Sequence, residues 1–193
     1  SWTWQVPRGE FDKTLADCCE KMDIPVSYET TVTSIEFNGS ESVTTVEDID
    51  GNKSLIEARF IVDGSGYGRV IPRLFNMDRP SNLPPRKALF THVVDTKRTM
   101  DDEPNRITII VHQKGIWIWV IPFSNGKTSV GFVGEPSFFD ATNSLAPEEQ
   151  LRALIATEPY LSERMKDVEF VFDPRILESY SVSTSKFYGD GFV

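Results

Sequence analysis

A chain of 193 residues, 39% hydrophobic and 25% charged, is ordinary enough in composition to exclude disorder and holds apolar material for one good core or two incomplete ones. Lys and Arg number 20 against 29 Asp and Glu, a formal net charge of −9, which argues against a protein that grips phosphate backbones. No apolar run approaches the roughly 20 residues of a membrane-spanning helix, and Ser1-Trp2-Thr3-Trp4 has neither the basic start nor the apolar stretch of a signal peptide.

In chain order, Phe11, Leu15, Cys18, Cys19 and Met22 recur at helical spacing behind Glu10 and Asp12, predicting a one-sided helix of about 13 residues. The two cysteines are adjacent, and vicinal thiols seldom bridge, so a reducing, cytoplasmic setting is expected. Strands are predicted at Val26–Tyr28, Thr31–Phe37, Val43–Asp48 and Leu55–Glu57, with turns at Asn38-Gly39 and Asp50-Gly51. The sequons Asn38-Gly39-Ser40 and Asn52-Lys53-Ser54 read as turn residues. Phe60-Ile61-Val62 reads as a short strand buried on both faces, as in parallel sheets, and a short helix is expected from Arg69 to Asn76.

Composition shifts near Asp78, and the proline-rich residues 79–86 suit neither a helix nor a central strand, which makes them a candidate domain crossover. Residues 87–95, 106–113, 115–122 and 127–134 then read as an antiparallel meander, separated by Asp101-Asp102-Glu103-Pro104, Lys114-Gly115 and Ser124-Asn125-Gly126. Pro147 opens a helix with Glu148 and Glu149 in its first turn and Leu151, Leu154 and Ile155 on its apolar side. A second short helix, Tyr160–Met165, precedes an extended stretch over 168–187 that ends in the turn Tyr188-Gly189-Asp190-Gly191.

Few residues suggest chemistry. His92 and His112 lie on adjacent predicted strands, but two histidines fall short of the three protein ligands of a catalytic zinc and read as polar strand positions; no metal is expected. Phe60 to Arg69 joins a strand, an acid, alternate glycines and a helix. Asp63 suits a sugar hydroxyl, and Gly64 and Gly66 allow close approach of a phosphate. The same pattern also fits a glycine-rich turn without a ligand, and the third glycine of G-x-G-x-x-G is missing. In Trp117-Ile118-Trp119-Val120-Ile121-Pro122, strand period puts Trp117, Trp119 and Ile121 on one face, either core or the wall of a pocket for a flat ring system. Arg8 could hold a phosphate bidentately or pair with Asp12.

Taken in order, these pieces resemble the FAD-dependent superfamily of aromatic hydroxylases, flavin-dependent halogenases and geranylgeranyl reductases. Val6 to Leu15 is similar to its Arg-x-x-Phe-Asp-x-x-Leu helix start, Ile61 to Gly66 to its Asp-Gly segment, and Trp117 to Pro122 to the Trp-x-Trp-x-Ile-Pro of the halogenases. The resemblance implies an α/β fold in the broad α+β sense: a partial FAD-binding Rossmann-like domain over 1–78, a mainly antiparallel β-sheet substrate domain with helices over 79–175, and a return toward the first domain over 176–193. It implies FAD as cofactor, with Arg8, Val32, Asp63 and Gly64 on the cofactor side and Trp117, Trp119, Ile121 and Pro122 in the substrate pocket.

The family's glycine-rich pyrophosphate loop and its catalytic lysine lie upstream of the position of Ser1, so the catalytic residues are unknown and the chain resembles an internal excerpt. The implied reaction uses reduced FAD and O2 to hydroxylate or halogenate a small aromatic or hydrophobic substrate, with a separate flavin reductase as partner. Reduction of an isoprenoid lipid, and a non-catalytic module binding an apolar ligand, are the alternatives.

Overall fold

The computed structural model describes residues 4–98 and 105–193, and the chain divides into two compact units, Ser1–Pro80 with Ser183–Val193, and Ser81–Val182. The turn expected at Asp101–Pro104 lies outside the described residues.

The first unit begins with helix α1 (Arg8–Lys21), which follows Pro7 and carries Glu10 in its first turn and Lys21 in its last, each complementing the helix dipole. Arg8–Asp12 and Lys13–Asp17 pair along its surface at i,i+4. The predicted stripe forms but stays open: no residue of α1 is buried, and Phe11, Leu15 and Met22 are exposed.

The strand expected at Val26–Tyr28 is absent. Asp23 and Glu29 take φ of 57° and 51°, which breaks the extended run on both sides. Strands β1 (Thr31–Asn38), β2 (Glu41–Glu47) and β3 (Lys53–Ala58) form an antiparallel sheet in that order. Gly39 and Gly51 supply positive φ in its turns, and Thr33 is the extra residue of a bulge between Val32 and Ser34.

The run at Phe60–Val62 corrects a second expectation. Only Ile61 pairs, in parallel with Phe192, while Phe60 and Val62 are 54% and 74% exposed. The segment therefore alternates in and out instead of being buried on both faces. It leads through a 3-10 turn, Gly66–Gly68, to α2 (Val70–Leu74) and β4 (Asp78–Pro80). Ile35, Ile71 and Phe192 make the small core, with Val32, Phe37, Ile61, Phe75 and Met77 packed against it.

In the second unit, β5 (Lys87–Val94), β6 (Thr108–Gln113), β7 (Ile116–Pro122), β8 (Lys127–Gly134) and β9 (Arg175–Glu178) form one antiparallel sheet in the order β6-β7-β8-β5-β9. The meander holds for β6-β7-β8, but β5 joins at β8 instead of β6. Burial explains this order. β5 and β8 are the most buried strands and take the centre, whereas β6 alternates with exposed residues and takes the edge. His92 and His112 are thus separated by β7 and β8, not on neighbouring strands.

Helices α3 (Pro147–Thr157) and α4 (Pro159–Met165) cover one face of the sheet. Leu151, Leu154, Ile155, Leu161 and Met165 pack on Leu89, Val93, Ile118, Val120, Val130 and Phe132. Each such side chain contributes about 1.5–3 kcal/mol by burial, well above the tenths available from helix propensity. Glu158 accepts the N–H of Leu161 at 2.7 Å and so caps α4. At the end of β5 the fully buried Asp95 carboxylate accepts from Arg164 at 2.5 Å and Thr128 at 2.6 Å, with Arg98 Nε 3.9 Å away. The chain leaves this unit through β10 (Val182–Thr184), which pairs with β4. Among the described residues no helix is long and apolar enough to cross a membrane.

Candidate functional site

Two separate sets of residues matter, one in each unit. In the first, three hydrogen bonds fix the segment around Asp63. Ile61 N–H donates to Gly191 O at 2.8 Å, Asp63 N–H to Val193 O at 2.8 Å, and Val193 N–H to Ile61 O at 3.0 Å. The Asp63 carboxylate then turns back on its own loop, accepting from Ser65 N–H and from Ile71 N–H, both at 2.9 Å. Ser65 Oγ accepts from Val70 N–H at 2.9 Å. Asp63 and Ser65 therefore satisfy the first N–H groups of α2, a capping role that the strand-acid-glycine pattern did not reveal. Partial burial pushes the Asp63 carboxyl up, but the Ser65 hydroxyl and the N–H groups of Ser65 and Ile71 outweigh it and hold the group below the usual carboxylate value.

Gly64 and Gly66 border open space: a Cβ on either would meet nothing within 4 Å, and Gly66 has φ +55°. A phosphate or sugar can reach this backbone closely. Arg69, in the left-handed region at φ 45°, pairs with Asp78 at 3.2 Å. A pocket of about 120 Å³ lies beside the loop, lined by Asp63, Ile71, Pro72, Thr184, Lys186 and Phe192 among others. Thr184 and Lys186 carried no sequence signal. Val32 and Arg8 are not among its lining residues. Val32 packs into the core that Ile71 also joins, next to the bulge at Thr33. Arg8 is held by Asp12 through two bonds of 2.9 Å at the exposed start of α1, the ion-pair option.

In the second unit, β7 splits its side chains as strand period requires. Ile116, Ile118, Val120 and Pro122 are buried, while Trp117, Trp119 and Ile121 occupy the other face, the one α3 and α4 do not cover. Pro122 is thus on the opposite side from the tryptophans. The Trp117 and Trp119 rings lie 5.8 Å apart at 49°, and Trp119 meets Phe90 at 5.8 Å. Trp119 Nε1 donates to Ser129 Oγ at 3.0 Å. Cross-strand register continues this face through Gly131, opposite both Trp119 and Phe90, and through Ser129, opposite both Ile121 and His92. The result is an aromatic floor with the Trp119 N–H already partnered, suited to a flat apolar ring.

The family model described as tryptophan halogenase matches residues 1–169, so the chain belongs to that family. A 1H-pyrrole-2-carbonyl-[peptidyl-carrier protein] chlorinase of Pseudomonas fluorescens is 24% identical over 198 residues, covering 100% of this chain and 44% of its own length. The crystal structure of a flavoprotein/dehydrogenase from Cytophaga hutchinsonii is 60% identical, with a TM-score of 0.93 over 100% of this chain and 47% of that one. CmlS, a flavin-dependent halogenase, is 25% identical with a TM-score of 0.84, over 97% of this chain and 34% of its own. The chain spans less than half the length of each of these relatives. Its mixed α/β fold, with mainly antiparallel sheets, is that of the flavin-dependent halogenases.

Proposed function

We propose that the full-length protein is an FAD-dependent oxidoreductase of the halogenase type, acting on a small aromatic or hydrophobic substrate with reduced flavin and O2 in a reducing, cytoplasmic setting. The observation that carries this reading is the tryptophan face: Trp117 and Trp119 stand on the side of the sheet away from the helix-packed core, and Trp119 is fixed by Ser129. A core strand would have its large rings among α3 and α4 instead.

The residues present fit one border of an FAD site. The open backbone at Gly64 and Gly66 admits close approach of a ribose or phosphate, and Asp63, held ionised, offers acceptor oxygens beside it. In this reading residues 1–80 with 183–193 would contribute to FAD binding and residues 81–182 to substrate binding. When bound, FAD would supply the redox chemistry, after reduction by a separate flavin reductase. This chain's residues would orient the substrate against Trp117, Trp119 and Ile121 and keep water away from it.

The test is product analysis with FAD, a flavin reductase, O2 and chloride or bromide on aromatic substrates. Halide in the product supports the reading, and hydroxylation alone moves it to monooxygenation. A second reading, flavin-dependent reduction, has its support in the 60% identical relative described as a flavoprotein/dehydrogenase. Saturated product without oxygen uptake selects it.

A further inference from the structure

His92 stands on β5 in the row Ile121–Ser129–His92, the row next to Trp119 on the aromatic face. Its imidazole is clasped between two phenylalanine rings, Phe123 and Phe172, each with its centroid 4.9 Å away and edge-on at 61° and 63°. The residue is half-buried, and neither ring nitrogen has a hydrogen-bond partner among the described residues. A phenylalanine would fill the same slot without desolvating a polar group. The ring nitrogens are not among the buried atoms that lack a partner, so histidine there presents a donor and an acceptor, open to solvent or to a ligand, beside the aromatic floor.

We propose that His92 is a specificity-determining residue of this face, accepting a hydrogen bond from the acidic O–H or N–H of an aromatic substrate (a phenol or a pyrrole) whose ring lies on the floor built by Trp119 and Phe90. The assignment rests on the reading of the tryptophan face as a substrate wall. The neutral imidazole always carries one acceptor nitrogen, and its surroundings keep it neutral. Burial lowers the pKa of His92 from the ordinary value, and the Lys127 and Arg175 charges facing it from β8 and β9 lower it further. Arg175 itself rests over the Phe172 ring, 5.1 Å from its centroid. A phenol O–H or pyrrole N–H is thus preferred over the methyl ether or N-methyl analogue, which lacks the donor and leaves the acceptor unpaired.

The experiment is fluorescence titration of the full-length protein with 4-methylphenol and with 4-methylanisole at neutral pH. FAD uptake is measured on the same samples. The wild type is expected to bind the phenol about tenfold tighter, the scale of one hydrogen bond. His92→Phe is expected to abolish that preference while leaving anisole affinity within about twofold, and His92→Gln, which keeps an acceptor, to retain part of it. The preference should also fade on acidification through the lowered His92 pKa, since Lys127 and Arg175 stay charged throughout. An unchanged phenol preference in His92→Phe, or no binding of either probe by the wild type, overturns the assignment. Loss of FAD uptake in the wild type is a different result and counts against the flavoprotein reading itself.

Discussion

The indole of Trp119 lies against the backbone of Gly131: a Cβ on Gly131 would fall 2.2 Å from Trp119 Cζ2 and 2.4 Å from Cη2. Phe90 Cβ, 2.6 Å from the same point, crowds it as well. Glycine is needed here for close approach, not for backbone freedom. Gly131→Ala should therefore displace the indole and break its bond to Ser129, at a cost of about 1–3 kcal/mol. Urea denaturation together with near-UV circular dichroism of the tryptophans checks this; an unchanged midpoint and spectrum would show that the ring does not lie against Gly131.

Asp63 and Asp50 offer a paired comparison. Asp50 sits in the β2–β3 turn, which is anchored by Asp48, whose carboxylate accepts from the N–H groups of Asp50 and Asn52 at 3.0 and 2.8 Å. Asp63 both caps α2 and borders the open glycines. Asp63→Ala should lose about 0.5–2 kcal/mol of stability from the cap and weaken FAD binding by the full-length protein, while Asp50→Ala should do neither. Equal FAD affinities for the two variants would reject the role assigned to Asp63.

The same carboxylate predicts a pH dependence. Its folded-state pKa is held below the ordinary value, so its stabilising contribution is complete above the unfolded pKa of about 3.9 and is lost as pH falls through the lower folded value. The difference in stability between the wild type and Asp63→Asn should be constant from neutral pH down to about 5 and shrink below about 4. A gap that instead widens with acid would mean the shift has the opposite sign.

Arg8 and Asp12 form a fully exposed pair on α1, and exposed pairs of this kind are screened and contribute little to stability. Arg8→Ala should leave the melting temperature of the full-length protein unchanged. Any fall in FAD affinity then reports a ligand contact. If neither changes, Arg8 is only the ion-pair partner of Asp12.

Asp95 is the opposite case. Its carboxylate is fully buried between Arg164, Arg98 and Thr128, and Arg98 also ties down the β7–β8 turn through the carbonyls of Phe123 and Lys127. Asp95→Ala should cost about 3–5 kcal/mol, because it strands two guanidinium groups in a largely buried site. Chemical denaturation measures it, and a loss below about 1 kcal/mol would mean that water relieves both arginines.

Elements with strong local signals were legible in the sequence. The turns at Gly39 and Gly51, the acidic first turn after Pro147 and the alternation of Trp117, Trp119 and Ile121 all appear where spacing places them. What depended on distant partners was not. The seat of β5 beside β8 is decided by which strands can be buried on both faces, a property of the whole sheet. Gly131 looks like any strand glycine until the register sets it opposite Trp119. The capping role of Asp63 needs the chain to return at Ile71, eight residues on. Sequence spacing pairs His92 with His112, whereas its ring neighbours in the fold are Phe123 and Phe172.

Whether the full-length protein is flavin-dependent is decided by purifying it and recording its visible absorbance before and after addition of FAD. A flavin spectrum is expected, either as isolated or after uptake in a one-to-one ratio. A colourless protein that takes up no FAD would contradict it.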